Sequence, residues 1–506
     1  MESRQYDQVA WQSCEDASLG LLELVCRPSE SMITSLIASD RPDDPLAEPP
    51  SWEAAVRYYH VRTGRLPDCK DRLINLLSRD VAELDRCLGE QVDAVLHHPR
   101  FQSLEAAWRG LELLIEGTGG QENLKVKVLH LPKAQLDADL HGAIEFDQSA
   151  FFRKVYEEEY GMAGGEPYGI LLGNYEFRNS PSDIELLSKI KEVAAAAFAP
   201  FVAGVDPMLF GLPHFGLLPR ISNLGELFNS LKFLKWNALR EQEDSRYLGL
   251  VLPRIAMRLP YTRDPQRVDG FVYEEDVSAA DGMSYLWGNA AFAFGNVVIR
   301  AFALSGWFAD IRGIAGGADS GGVVDLPSQS FGTDRPGVAV KCSIDSILSE
   351  ARDKELSDLG FITLCDCEDT AYSAFFANQS IQKTKVYHEE EGTTNARISS
   401  MLQYVFCASR FAHYLKVIGR DKVGQVPDRR QLQSLLHDWI HQYVAADPGA
   451  SAATRAKYPL REALIEIDEH PADPGHFRLK LFLAPHVQLD QLSAGIRLVT
   501  ALPKAQ

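Results

Sequence analysis

The run from Pro459 to Pro503 constrains the fold more than any other part of the chain, because its apolar residues alternate and its strand edges need partners. Phe477, Leu479, Leu481 and Leu483 fall on every second position while Arg478 and Lys480 take the other face, the period of a half-buried strand. Ile496 and Leu498 flank Arg497 in the same way, and Ala463, Ile465 and Ile467 give a shorter third run. A small terminal sheet is marginal in water unless a helix or another chain covers it and pairs its edge. The end of the chain is therefore expected to form a socket for a partner.

A chain of 506 residues and 56.2 kDa with 45% apolar and 24% charged content can supply the rest of such a core. That length suits several domains. A formal charge of -19 and a pI near 5.2 disfavour nucleic acid or an anionic membrane surface as the main partner. The start, MESRQYDQVAWQSCEDASLG, lacks a basic region followed by an apolar core, so no signal peptide is expected. The uncharged stretch Tyr285 to Ile299 carries two Asn and stops at Arg300, too short and polar to span a bilayer. Scattered cysteines at 14, 26, 69, 87, 342, 365, 367 and 407 form no disulfide framework, which fits a reducing cytoplasm. Cys365 and Cys367, in FITLCDC, are read as buried strand thiols because two further metal donors are missing nearby.

Residues 1 to 50 read as an arm closing in the proline-rich linker RPDDPLAEPP, with a short amphipathic helix at Ser18 to Val25. From Asp71 to His98, Leu73, Leu77, Val81, Leu84, Leu88, Val92 and Val95 are spaced 4, 4, 3, 4, 4, 3. This period of about 3.67 keeps one apolar stripe on a nearly straight helix. Phe101, Leu104, Trp108, Leu111 and Ile115 mark a second helix after Pro99. Two narrow seams suit a helical hairpin or pairing with a helix of another chain.

Beyond this the pattern is that of an α/β protein, mixed α+β in detail. Leu124, Val126 and Val128 against Lys125 and Lys127 predict a one-sided strand. Tyr168 to Tyr175, a helix from Asp183 capped by Ser182, and Phe201 to Val205 make a β-α-β unit. Tyr247 to Leu252 and FITLCDC are further strands, and Tyr285 to Leu304, Ile344 to Leu359, Ile398 to Val417 and Gln431 to Ala445 further helices.

Chemistry-bearing motifs are sparse. GMAGGEP precedes a strand, and GIAGGADSGG leads into VVDLP, whereas a phosphate loop follows a strand and opens a helix. His413 sits on an apolar helix one turn after Ser409 and reads as a satisfied core histidine. No G-x-S-x-G elbow or H-E-x-x-H pair is present. Nothing assembles a nucleophile, a base and an orienting group, so no catalytic, cofactor or metal residue is assigned and the chain is read as a non-enzyme.

The segments HHPRFQSLEAAWRGLELL, EEYGMAGGEPYGILLGNYEF, LREQEDSRYLGLVLPRIAMRLPY, YLWGNAAFAFGNVV, FFANQSIQK, SRFAHYLKVIGRDKVG and LAPHVQLDQLSAGIRLVTALP together resemble the large subunit of the bacterial type VI secretion contractile sheath, the TssC/VipB family. The resemblance runs from about residue 70 to the end. It implies a cytoplasmic, contractile-tail-sheath-like, multi-domain protein with N-terminal helices and a C-terminal β-sheet completed by neighbouring chains. The parts are an arm and linker (1–70), a helical region packing with the small sheath subunit (71–118), sheath core domains (119–395), and C-terminal helices with inter-protomer strands (396–506).

Implied partners are a small TssB/VipA-type subunit, further copies in a helical polymer, an Hcp inner tube and a baseplate, with no nucleic acid and no membrane insertion. A ClpV-type ATPase recycles sheaths of this family through an N-terminal helix; here only Ser18 to Val25 occupies a comparable place, and it does not match that motif. The resemblance assigns Leu73, Leu77, Val81, Leu84, Leu88, Val92 and Val95 to the small subunit's helix. It gives inter-subunit strand roles to Ile465, Ile467, Phe477, Leu479, Leu481, Leu483, Ile496 and Leu498. By position, Ile344 to Leu359 faces the tube through Arg352, Asp353, Lys354 and Glu355, with Arg240 and Arg246 as secondary contacts. A specialised sheath paralogue and a cytosolic α/β enzyme with an unrecognised site are the competing readings.

Overall fold

The computed structural model describes residues 52–162, 164–263, 271–277, 284–314, 321–332, 339–367, 370, 372–422, 429–445, 447, 450–469, 477–486 and 496–501. The arm 1–51, with Cys14, Cys26 and the expected helix at Ser18 to Val25, lies outside the described residues. Two compact units divide the chain. Met1–Phe101 with Pro260–Val277 form one, and Gln102–Leu259 with Ser278–Gln506 form the other.

The first unit is built on helices α1 (Trp52–Thr63) and α2 (Lys70–Leu96), the latter close to its expected span. Polar ties hold α2. The Tyr58 hydroxyl donates to the buried Asp80 carboxylate at 2.7 Å, and Arg62 Nε lies 3.6 Å from the same group. Toward the other end Tyr273 donates to Asp93, and His97 Nε2 lies 3.2 Å from Glu275.

In the second unit α3 (Pro99–Gly117) leads toward a six-stranded sheet. Strand β1 (Leu171–Phe177), helix α4 (Pro181–Ala197) and strand β2 (Phe201–Val205) form the expected β-α-β unit, β1 and β2 running parallel. The cap differs: Ser180 rather than Ser182 accepts the Asp183 amide at 3.2 Å, because Pro181 occupies the first helical position and fixes its φ there. Ile190, Val193 and Ala194 of α4 are fully buried.

Strand β3 (Leu248–Leu252) follows in parallel. Helix α5 (Ala291–Ser305) begins later than its composition suggests, since Trp287 and Gly288 pair with Ala256 and Ile255 as a short ladder instead of joining it. With β4 (Val323–Asp325), helix α6 (Glu350–Asp358), β5 (Ile362–Asp366) and β6 (Tyr372–Phe375), the sheet order is β1-β2-β3-β5-β6-β4. The first four strands are parallel, and β6 pairs antiparallel with both of its neighbours, β5 and β4. Helices α7 (Leu402–Lys422) and α8 (Arg429–His441) carry the terminal antiparallel sheet of β7 (Leu460–Glu469), β8 (Phe477–Pro485) and β9 (Ile496–Ala501).

Two expectations need correction. Residues 124–132 run without turn or bend but form no ladder, so the strand expected at Leu124 to Val128 is an unpaired segment. Strand propensity acts through packing against neighbours, and no neighbouring strand reaches this stretch among the described residues. The helix expected over Ile344 to Leu359 is confined to Glu350–Asp358. Ile344 is drawn into the core, bridging Ile255, and Ser349 caps the helix by accepting the Arg352 amide.

Candidate assembly surfaces

The seven stripe residues of α2 divide into covered ends and an uncovered middle. Leu73 is buried and Leu77, Val92 and Val95 are partly covered, whereas Val81, Leu84 and Leu88 are 54%, 40% and 47% exposed. The polar ties at Asp80 and Asp93 fix the helix without covering that middle. A helix with an apolar stripe gains most of its stability by burying it. Here two turns of the stripe remain available.

Helix α3 turns its seam outward as well. Ala106, Gly110 and Leu114 are buried, while Leu104, Trp108 and Ile115 are 56%, 66% and 55% exposed. The reason is close packing. A Cβ at Gly110 would stand 2.4 Å from the Phe292 ring, so glycine permits α3 to approach α5 on its small-residue side. Glu105 fixes the roll of the helix by accepting from Arg109 Nε at 2.9 Å and from the buried Arg258 Nε at 2.8 Å. Apolar spacing alone points to the Phe101–Ile115 face and misses this one.

In the terminal sheet Ala463, Ile465 and Ile467 oppose Leu483, Leu481 and Leu479, and all six side chains are buried. They pack with Phe411, Leu415, Leu436 and Ile440 of α7 and α8, so the chain's own helices cover this face. The backbones of Ile496 and Leu498 pair with Leu483 and Leu481; the side chains of Phe477, Ile496 and Leu498 lie outside the described residues. On the outer face Leu464 and Phe482 stand opposite each other, 49% and 38% exposed.

The two edges differ. Along β7, Leu460 bridges Val444 and Gln433 Nε2 donates to the Ile465 carbonyl at 3.3 Å, so α8 and its following turn occupy part of that edge. Only β8 pairs with β9 among the described residues.

The residues expected to face an inner tube are largely engaged within the chain. Asp353 is buried and accepts from the Thr363 hydroxyl; burial pushes its carboxyl up to about 6. Arg352 pairs with Glu355 at 2.7 Å and donates to the Ile221 carbonyl. Glu355 accepts the Leu224 amide at 2.7 Å, at the start of the short helix Leu224–Phe228. Lys354 is exposed, and so are Glu350 and Asp358 at the same helical spacing. Arg240 is buried, donating to the Ile381 carbonyl at 2.9 Å, with burial lowering its guanidinium to about 10. Arg246 pairs with Glu243.

Groups that sequence reading weighed for chemistry are packed into the core. His413 lies 3.1 Å from the Ala197 carbonyl through Nε2, and burial lowers its ring to about 3. Cys365 is buried on β5 with its thiol pushed up to about 12, and Cys367 lies half-buried just past the strand. Among the described residues no cluster of His, Cys, Asp or Glu could hold a metal ion, and no helix is long and apolar enough to cross a membrane.

Residues 78–382 match the family described as EvpB/VC_A0108, tail sheath N-terminal domain, and residues 391–502 match the EvpB/VC_A0108, tail sheath gpW/gp25-like domain. The chain is similar to the type VI secretion system sheath protein TssC1 of Pseudomonas aeruginosa, with 41% identity over 429 residues covering 84% of this chain and 86% of that protein. A solved sheath tail protein of Listeria innocua aligns at 11% identity and a TM-score of 0.32, over 67% of this chain and 57% of that one. A chain of the anti-feeding prophage baseplate aligns at 9% identity and a TM-score of 0.34, over 73% and 81%.

Proposed function

The chain belongs to the EvpB/VC_A0108 tail sheath family as a type VI secretion sheath large subunit, and from that premise we propose how its surfaces assemble and move. Its role is structural rather than catalytic. The α2 stripe takes a helix of the small sheath subunit, and the heterodimers stack as a cytoplasmic helical polymer around an Hcp-type inner tube. Assembly starts from a baseplate, and contraction drives the tube outward.

The observation that carries this reading is the uncovered middle of α2 at Val81, Leu84 and Leu88. An aliphatic side chain gains about 1.5–3 kcal/mol on full burial, and three left half-exposed on one stripe favour a covering helix. The terminal sheet supports it in a narrower way than the sequence suggests. Its inner face belongs to the protomer's own core, so exchange between protomers uses the β9 edge and leaves that core intact. Main-chain ladder bonds at about 0.5–1.5 kcal/mol each then link protomers that can rotate and repack.

Toward the tube, α6 presents the exposed Glu350, Lys354 and Asp358, while Arg352, Asp353 and Glu355 hold the helix in place. Recycling by a ClpV-type ATPase rests on the arm, outside the described residues. Co-expression with the small sheath subunit tests the proposal: a stoichiometric complex on size exclusion is expected, and a large subunit that elutes alone from a lysate containing its companion contradicts it.

A further inference from the structure

Arg312, in the turn after α5, is half-buried, yet its guanidinium meets no carboxylate among the described residues. Its one hydrogen bond there goes to Met401, whose Sδ lies 3.8 Å from Nη1 and is a weak acceptor. Burial pulls the guanidinium below its ordinary range. The turn itself is fixed, since Gly313, at a φ of +69°, donates its amide to the Phe375 carbonyl at 2.8 Å. One helical turn past Met401, Tyr404 is 2% exposed and its hydroxyl makes no hydrogen bond among the described residues. Burial pushes that hydroxyl up, and Arg312 and Arg461 both act against the rise, so both cations lie near it. Arg461, exposed at the start of β7, also lacks a carboxylate among the described residues. Tyr404 shares an apolar cluster with Leu460, the residue before Arg461. The turn after α5, the first turn of α7 and the start of β7 therefore meet within the second unit. Positive charge continues past Arg461: Arg455 has its Nε buried without a partner, and burial together with Arg455 and Arg461 lowers the His486 ring.

We infer that Arg312, Tyr404 and Arg461 form a binding site for a phosphate-class oxyanion. An unpaired buried guanidinium and an unpaired buried hydroxyl each cost free energy, and one anion between them relieves both. In a chain of net charge -19 such a pair of uncompensated arginines stands against the prevailing field. The first turn of α7, a helix of 21 residues, adds partial positive charge at the same place. The donor set chooses among anions. A single guanidinium fork already satisfies the two oxygens of a carboxylate, whereas two forks and a hydroxyl match the tetrahedral oxygens of phosphate, which accept from several directions. Occupancy ties the terminal sheet to the six-stranded sheet, and the site stands independently of how protomers assemble.

Titration of the purified full-length chain with inorganic phosphate, at an ionic strength held constant with sodium chloride, tests the site. Calorimetry should show saturable one-to-one binding, and the melting temperature should rise as the site fills. Arg461→Gln should weaken binding by about tenfold or more and leave the melting temperature without phosphate unchanged, because the side chain faces water. Tyr404→Phe should weaken binding about fivefold and melt no lower than the unaltered chain without phosphate, since the lost hydroxyl leaves no partner stranded. Arg312→Gln should reduce binding below detection; if that variant fails to fold, the other two carry the test. No saturable binding, or undiminished binding by both Arg461→Gln and Tyr404→Phe, overturns the inference. A melting temperature that climbs linearly with phosphate, equally in every variant, is a general salt effect and overturns it too. Succinate that saturates the site more tightly than phosphate overturns the class of anion named here.

Discussion

Replacing Leu84 and Leu88 of α2 with glutamate should abolish binding of the small subunit while leaving the free chain folded. Both residues retain about half their surface in solvent, 40% and 47%, so covering them contributes roughly 0.7–1.5 kcal/mol each. The double variant forfeits that gain and also places two carboxylates where a partner must exclude water. An uncompensated buried charge costs about 3–5 kcal/mol, so the combined loss is at least about 4 kcal/mol, roughly a thousandfold in affinity. In the free chain the same positions face water, and glutamate is nearly as good a helix former as leucine, so stability should move by no more than about 0.5 kcal/mol. Calorimetric titration of the purified subunits, beside urea denaturation of each variant, separates the two effects. Full affinity in the double variant refutes the reasoning. A comparable loss of folding stability shows instead that the stripe belongs to the protomer's own core.

Other substitutions address the remaining surfaces. Ile465→Ala or Leu481→Ala, at opposed buried positions in the terminal sheet, should each cost the isolated chain about 2–4 kcal/mol in urea denaturation; an unchanged midpoint means that face is not core. Asp353 has its folded-state value raised from near 3.8 to about 6, so its protonated form favours folding at low pH and that contribution disappears as pH rises through about 6. Asp353→Asn should therefore stabilise by about 1–3 kcal/mol at pH 8 and by roughly half as much at pH 5, measured by denaturation at both; a gain that shrinks as pH rises contradicts the assignment. Lys354→Glu should weaken co-sedimentation with an Hcp-type tube without changing stability, whereas Arg352→Glu should lower stability by about 1–3 kcal/mol through loss of its bonds to Glu355 and Ile221. Equal effects of the two on tube binding at unchanged stability would move the contact off this face of α6.

Where one segment supplies both its pattern and its partner, sequence reading comes close to the observed structure. The α2 stripe gives the helix within a few residues, and the strand-helix-strand stretch from Leu171 to Val205 has its parallel pairing dictated by a crossover of sufficient length. Alternation in Ile465, Ile467, Leu479 and Leu481 likewise places the buried face of the terminal sheet. Reading fails where tertiary contacts choose among local options. Ala106 and Gly110 are buried on α3 because small residues let it approach Phe292, a property invisible to a count of large apolar side chains. Arg352, Asp353 and Glu355 resemble a solvated helix face, yet each has a partner outside the helix, at Ile221, Thr363 or Leu224. The stretch Leu124 to Val128 has the pattern of a strand, yet among the described residues no neighbouring strand pairs with it, so alternation alone does not decide that a ladder forms.

Electron microscopy of the co-expressed large and small subunits tests the central claim most directly. Hollow helical tubules, lost when residues 496–501 are deleted although a folded heterodimer persists, are the predicted result. A stoichiometric heterodimer that stays dispersed at high concentration, or tubules that survive the deletion, would contradict it.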